Sequence, residues 1–389
     1  MKIVLMCNSG GALYVFRNPL IRALLKAGHE VVGVCPDSEY TGRLLGMGVR
    51  IHLVEFSRHS VSPLHIVGLL YRLWRIVCDE KPDVVHGFTH KAVIYGALAA
   101  RLASVPRIVM TVTGLGTLFS RDDARARLLR SALLAQYRIA LSRHVNVLFQ
   151  NPDDMHELVS LGAVRQKNAR LTNGSGIDLS QFQLPGADIK AQMRAMLAHE
   201  IGTDLTNRMV VLFPARGVPE KGFLEFYDAA RLVGDAAPGR YCFVHLGLID
   251  SGTSRHFSAG DVATFARDQG VHYLGFKDNI SDYMIASDIV ALPSYYREGV
   301  PRSLIEALAL GKTLITTDAP GCRETVIDGI NGFLCTPRSA RSLARAVMRV
   351  DSAMIEKARL RSRRYCEEKF DVKQLNSLTF SLYGLEGGQ

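Results

Sequence analysis

The feature that most constrains this 389-residue chain is a pattern that runs twice. Short apolar runs alternate with amphipathic stretches through the first half. Ile3–Cys7, Val31–Cys35, Val49–Val54, Val84–His86, Ile108–Thr113 and Val145–Gln150 read as strands, with helices such as Val15–Ala27, Leu64–Glu80 and Val93–Ala103 between them. The pattern then restarts. Its second round has strands at Met209–Pro214, Tyr241–Leu246, Val271–Leu274, Ile289–Leu292 and Thr313–Thr316, and helices at Gly222–Leu232, Ile280–Ala286, Arg302–Ala309, Cys322–Val326 and Ala340–Arg349. Such spacing calls for parallel sheets covered by helices on both faces. The break falls at the turn-rich run Asn173-Gly-Ser-Gly-Ile-Asp178, and the polar stretch after it, to about Asn207, is predicted to be irregular. The expected architecture is α/β, with two facing doubly wound Rossmann-like domains, residues 1–172 and 173–365. Ligands of such sheets lie outside the carboxyl ends of the strands, so the interdomain cleft is the expected active site. A C-terminal helix is predicted over Asp351–Phe370, and residues from about 366 to 389 could pack back on the first domain, ending in a loose tail at Gly384–Gln389.

With 48% hydrophobic and 22% charged residues the composition excludes a disordered chain. The seven cysteines are scattered with no Cys-x-x-Cys pair, which suits a reduced, cytoplasmic protein with buried thiols. No apolar run approaches the roughly 20 residues of a membrane span. Asn8-Ser-Gly-Gly11 interrupts the opening apolar run, so it reads as a first strand and glycine loop, not a signal peptide. Charge is lopsided: residues 1–170 hold 22 Lys/Arg against 12 Asp/Glu, while residues 171–389 hold 25 against 25. A basic first half attracts anionic partners such as phospholipid heads, diphosphates or nucleic acid, or else is a solvated surface.

Five stretches at predicted strand ends could carry chemistry. In the first, Glu298-Gly-Val-Pro-Arg-Ser-Leu-Ile-Glu306, a Gly/Pro loop opens a short helix between two carboxylates. A helix start suits a phosphate, and a carboxylate on each side could hold hydroxyls. The acidic pair alone would also fit a solvated helix face. In Leu212-Phe-Pro-Ala-Arg-Gly-Val-Pro-Glu-Lys-Gly222, Arg216 and Lys221 are five apart before a helix, an arrangement that an anion would reconcile with the helix dipole. Standing alone, they would be surface cations. Gly10 and Gly11 in Asn8-Ser-Gly-Gly-Ala12 would allow close backbone approach, with Arg17 facing a cleft or merely covering a helix. This stretch lacks the Gly-x-Gly-x-x-Gly fingerprint of a nicotinamide site. His86-Gly-Phe-Thr-His90-Lys91 puts two histidines at a strand-to-helix turn, in structural or catalytic roles. Thr111-Val-Thr113-Gly114-Leu-Gly116 is a further glycine loop or a tight turn. No Asp-x-Asp, zinc spacing, Walker loop or Gly-x-Ser-x-Gly occurs.

These residues bring a family into view. The chain resembles the family-four retaining glycosyltransferases of the GT-B fold over nearly its full length. Glu298 to Glu306 is similar to that family's Glu-x7-Glu motif, and Arg216 with Lys221 to its Arg/Lys pair. The subgroup it resembles is the bacterial N-acetylgalactosaminyltransferases acting on undecaprenyl-diphospho-diacetylbacillosamine. That similarity includes Glu39-Tyr-Thr41, Glu55-Phe-Ser-Arg58, His90-Lys91, Gly114-Leu-Gly116, His272-Tyr-Leu-Gly275 and Pro320-Gly-Cys322.

The resemblance implies roles. Arg216 and Lys221 would contact the nucleotide diphosphate, and Glu298 the donor sugar. The amides of Gly299 and Val300 would assist, and Glu306 would take the ribose hydroxyls. Gly10 and Gly11 would let the first domain close over the diphosphate. Many relatives carry a histidine where this chain has Thr113, next to Gly114, and His90 could take over part of that role. The implied reaction transfers a sugar, an N-acetylhexosamine by this resemblance, from a UDP-sugar to a polyprenyl-diphosphate-linked saccharide in bacterial glycan assembly. Configuration is retained, the new linkage is α, and the protein contributes positioning and electrostatics. No metal or other cofactor is expected. The expected partners are the sugar nucleotide, the lipid-linked acceptor and an anionic membrane surface, with no nucleic acid. The stretches Arg58–Arg75 and Arg121–Arg143 would meet that surface, making the protein peripheral at the inner face of the cytoplasmic membrane. Alternatives are a nucleotide-sugar epimerase of the same fold and a non-catalytic sugar-nucleotide binding protein.

Overall fold

A computed structural model describes residues 1–56, 63–121, 123–141, 144–249 and 259–385. Arg58, Asp122, Ser142, Arg143 and the last residues of the tail lie outside them. The chain forms two compact units. One comprises Met1–Gly176, Arg297–Gly299 and the chain from Val372 onward; the other comprises Ile177–Tyr296 and Val300–Asp371.

The first unit runs β1 (Lys2–Cys7), α1 (Gly10–Lys26), β2 (Glu30–Cys35), α2 (Thr41–Gly46), β3 (Arg50–Leu53), α3 (Pro63–Glu80), β4 (Val84–Phe88), α4 (His90–Leu102), β5 (Arg107–Val112), α5 (Ala124–Ala140), β6 (Val145–Phe149), α6 (Pro152–Ser160) and β7 (Ala169–Leu171). Its sheet order is β3-β2-β1-β4-β5-β6-β7, with every pairing parallel. Alternate residues of the strands feed two separate cores. Val4, Met6, Val85 and Met110 face α3, α4 and α5, while Ile3, Leu5, Val84 and Val109 face α1 and the chain end. Both faces are therefore dry, which is why the strands read as continuous apolar runs.

The second unit runs α7 (Ala187–Ile201), β8 (Met209–Pro214), α8 (Phe223–Ala236), β9 (Tyr241–Leu246), α9 (Ala259–Asp268), β10 (Val271–Tyr273), α10 (Ile280–Ala286), β11 (Ile289–Leu292), α11 (Arg302–Ala309), β12 (Thr313–Thr317), β13 (Gly332–Cys335), α12 (Ala340–Met348) and α13 (Ser352–Phe370). Its parallel sheet has the order β10-β9-β8-β11-β12-β13. The final helix, α14 (Val372–Leu382), belongs to the first unit. Tyr383, just after it, is fully buried, and its hydroxyl lies 2.6 Å from His86 Nδ1.

Several elements differ from the sequence expectation. The stretch to Asn207 contains α7, closed at Gly202 in the left-handed conformation; only its Leu197 is buried, so periodicity gives little sign of it. Cys322–Val326 holds only a 3-10 turn, Arg323–Thr325. The short strands β7 and β13 are additions to the expected set. The units part at Gly176 and not at residue 172, because the Thr172 and Gly174 amides still bond the end of β6. The return is at Val372 and not at 366, because Cys366 and Phe370 belong to the second core.

Candidate active site

In a doubly wound sheet the strand order reverses once, leaving a crevice at the carboxyl ends of the two strands that flank the reversal. In the second unit those strands are β8 and β11. The loop after β8 carries Arg216 and Lys221, and the loop after β11 runs through Ser294, Tyr295 and Tyr296. The two loops are joined. The Tyr295 and Tyr296 amides donate to the Glu220 carbonyl at 3.0 and 3.1 Å, and Ser294 Oγ does so at 3.2 Å. Gly222, at φ +79°, admits no side chain, since a Cβ would stand 2.2 Å from the Pro293 carbonyl oxygen. Arg216 is exposed and has no carboxylate partner among the described residues. The loop after β11 leads to α11, whose N-cap is Pro301 with no side-chain cap. The end of this helix that lacks a cap therefore carries a partial positive charge. Val300 is buried just before it, and Glu306 lies within it. Burial raises the Glu306 carboxyl above its ordinary range, opposed by the Arg302 guanidinium, which donates to it at 2.7 Å. The sequence marks Arg302 only as part of a helix opening; its i,i+4 spacing to Glu306 is the signal that would reveal the pair.

Glu298 sits in a three-residue segment counted with the first unit, and the backbone around it is tightly held. The Gly299 amide donates to the Thr113 carbonyl at 2.9 Å, and the Gly116 amide to the Arg297 carbonyl at 2.7 Å. Asn151 Nδ2 donates to the Glu298 carbonyl at 3.0 Å. A Cβ on Gly114, whose φ is +125°, would fall 2.6 Å from Glu298 Cα; one on Gly299 would fall 1.9 Å from Gln150 Oε1. Thr113, Gly114, Glu298 and Gly299 are thus brought together, with glycine required at position 114. Arg297, next to Glu298, donates to Asp154 at 2.9 Å and Glu157 at 3.1 Å. Asn151 also caps α6 through the Asp154 amide at 2.8 Å. Arg297, Asn151, Asp154 and Glu157 are absent from the sequence-derived candidates. Asn151-Pro-Asp-Asp154 is a legible helix start, but its contact with residue 297 is not local.

The reversal in the first unit lies between β1 and β4. Here one expectation is corrected, and two candidate residues have partners distant in the chain. Gly10 and Gly11 are not in a loop but form the first turn of α1, because Ser9 Oγ accepts the Ala12 amide at 3.2 Å and starts the helix there. Arg17 is 7% exposed; its guanidinium lies over the Phe88 ring at 4.2 Å, and it lines a small hollow with His86, Thr111 and Ser175. His90 sits at the start of α4. Its Nδ1 meets the Tyr137 hydroxyl. Burial pushes its pKa down to about 4, against a hydrogen bond with the Leu115 backbone. The ring is neutral near pH 7 and fixes the start of α4 against α5. His86 is likewise structural, held between Tyr383 and Thr111 Oγ1 at 2.6 and 2.7 Å.

A pH dependence follows from His90. Its folded pKa lies below the ordinary 6.5, so its stabilising contribution is complete above about pH 6.5 and is lost as pH falls toward about 4. Between pH 7.5 and 5 this amounts to at most about 2 kcal/mol. Urea unfolding at the two pH values is expected to show a smaller loss in His90→Gln than in the unaltered protein. Equal losses would contradict the buried neutral ring.

Two parallel doubly wound sheets, each with loops at its reversal point, make up the GT-B fold. Family models agree. Residues 199–365 match the model "Glycosyl transferases group 1" and residues 2–151 match "Glycosyl transferase 4-like". The chain belongs to this glycosyltransferase family, and it is an enzyme of that type. It is 28% identical over 93% of its length, and 91% of the relative's, to the N,N'-diacetylbacillosaminyl-diphospho-undecaprenol alpha-1,3-N-acetylgalactosaminyltransferase of Campylobacter jejuni. It is 25% identical over 82% of its length, and 79% of the relative's, to the UDP-Gal:alpha-D-GlcNAc-diphosphoundecaprenol alpha-1,3-galactosyltransferase of Escherichia coli. Among solved structures, Anabaena Alr3699/HepE in complex with UDP superposes with a TM-score of 0.78 at 21% identity, covering 99% of this chain and 100% of that one. Sucrose-phosphate synthase from Thermosynechococcus elongatus gives 0.77 at 18%, covering 99% and 98%.

Proposed function

We propose that the protein transfers a sugar, an N-acetylhexosamine, from a UDP-sugar to a polyprenyl-diphosphate-linked saccharide, with retention and an α-linkage. The observation that carries the donor half is the pairing of Arg216, which has no carboxylate partner among the described residues, with the uncapped start of α11 at one sheet reversal. A diphosphate supplies the negative charge that both lack. Glu306, on the same helix, takes the ribose hydroxyls, and Glu298 holds the transferred sugar. The acceptor half rests on the names of the Campylobacter and Escherichia relatives. In this reading the leaving diphosphate itself takes the acceptor proton, and Arg216, Lys221 and the helix start stabilise the charge it gains. The reaction is proposed to need no metal, because the sequence carries no Asp-x-Asp.

A donor screen tests this reading. The protein is incubated with several sugar nucleotides, with and without lipid-linked acceptor, in excess chelator. UDP-N-acetylhexosamine is expected to be consumed only when lipid is present. Consumption without acceptor, yielding an epimer, would identify an epimerase instead, and activity restored only by magnesium would end the metal-free reading.

We further propose that the first unit docks on an anionic membrane. No helix among the described residues is long and apolar enough to cross one. α3 buries Leu69, Leu73 and Val77, yet leaves Leu64, Val67 and Tyr71 largely exposed beside the exposed Arg72 and Arg75. One turn-spaced apolar stripe flanked by arginines suits an interfacial helix. Sedimentation with phosphatidylglycerol vesicles is expected to fall at least about tenfold in Arg72→Glu/Arg75→Glu, at about 1 kcal/mol per basic residue. Undiminished sedimentation would remove α3 from the membrane face.

A further inference from the structure

The second unit has a cavity of about 320 Å³ at the opposite end of its sheet from the donor loops. Ser287 and Asp288 line it just before β11, and Gly311 and Lys312 just before β12, so it opens at the amino ends of those strands. Its walls carry Lys190 from α7, Lys312, and Arg359 from α13. Arg194 lies one turn further along α7. Asp288 is the buried carboxylate facing these cations, and it is saturated. It accepts Lys190 Nζ at 2.8 Å, Arg194 at 2.9 Å and the Val210 amide at 3.0 Å. Glu356, an exposed residue, lines the cavity as well.

Lys312 is only 5% exposed, and its ammonium donates to the Ile285 and Ser287 carbonyls at 2.8 and 2.9 Å. Burial pushes its pKa down to about 7, and Lys190, Arg194 and Arg359 push the same way against Asp288. Lys190, Lys312 and Arg359 line the cavity beside the carboxylates of Asp288 and Glu356, and Arg194 adds a further cation at Asp288. The start of α7 opens onto the same space, since its N-cap Gly186 offers no side chain to cap the first turn. Capping the end of α10 accounts for Lys312 itself. Lys190 bonds Asp288 at 2.8 Å and Arg359 donates to the Pro185 carbonyl at 3.0 Å, which still leaves a ligand-sized space between them.

We propose that this cavity binds a small soluble phosphomonoester, held by Lys190, Arg359 and the opening amides of α7. The volume lies at the lower end of small-ligand pockets, roughly 300–1,000 Å³, and leaves room for a short carbon skeleton beyond the phosphate. The site is separate from the donor loops and does not depend on the transferase reading.

The test uses glycerol 3-phosphate as probe, with calorimetric titration and thermal unfolding of the full chain. The unaltered protein and Arg216→Ala are expected to bind it alike, at or below about 1 mM, with a Tm rise that saturates. Lys190→Ala/Arg359→Ala is expected to bind at least tenfold more weakly while keeping sugar transfer within about twofold. Should the double variant fold poorly, Lys190→Gln, altering a side chain 37% exposed, is expected to weaken binding at least threefold. Equal affinity in the cavity variants, loss of binding in Arg216→Ala, or no saturable binding by the unaltered protein would each overturn the proposal.

Discussion

Arg216→Ala and Lys221→Ala are each expected to lower the rate of sugar transfer about 10²–10³-fold, with folding intact. The leaving diphosphate gains charge as the glycosidic bond breaks, and a fixed donor aimed at such charge is worth about 3–4 kcal/mol. Both cations lie in the loop after β8, at the reversal of the second sheet. That loop is held by backbone bonds from Tyr295 and Tyr296 to the Glu220 carbonyl. Removing a side chain should therefore leave the loop where it is. Steady-state kinetics with saturating acceptor, beside a melting curve, make the check. Rates within about threefold of the unaltered enzyme in both variants would exclude a role at the diphosphate.

Glu298→Gln is expected to separate chemistry from nucleotide binding. Its kcat should fall about tenfold to a hundredfold, as a charge-assisted hydrogen bond to the transferred sugar is worth about 1.5–3 kcal/mol. The affinity for UDP alone should stay within about twofold, because the ribose and phosphate groups are assigned to Glu306, Arg216 and α11. The segment is fixed through backbone by Thr113, Gly116 and Asn151, so the isosteric change leaves its path alone. A matched loss of UDP affinity and rate would place Glu298 on the nucleotide instead, and an unchanged rate would remove it from the sugar.

The α/β class, the two rounds of strand and helix and most strand positions are legible in the sequence, because strands buried on both faces are continuous apolar runs. α7 escapes such a reading for a related reason: a helix with one buried residue gives no periodic signal. The Arg216 and Lys221 loop and the Glu298–Glu306 stretch are legible as motifs, since each spans a dozen residues or fewer beside one strand. His90 and Arg17 have partners that a local reading does not reach. A histidine after a strand looks catalytic in one dimension, but Tyr137, 47 positions on, engages its ring. Arg17, read as facing a cleft or covering a helix, has its guanidinium over the Phe88 ring.

The division of labour between sequence and structure follows the range of the interactions. Local signals decided what is built from neighbouring residues: apolar runs, glycine loops, helix openings and the charge surplus of the first half. Only the tertiary structure decided which distant residues meet. It set Gly114 against Glu298, gave Arg297 its partners at Asp154 and Glu157, and returned Tyr383 to His86. It also gathered Lys190, Lys312 and Arg359 around one cavity. Those contacts depend on strand order, and strand order is set by packing energy summed over whole sheets, which no short stretch of sequence contains.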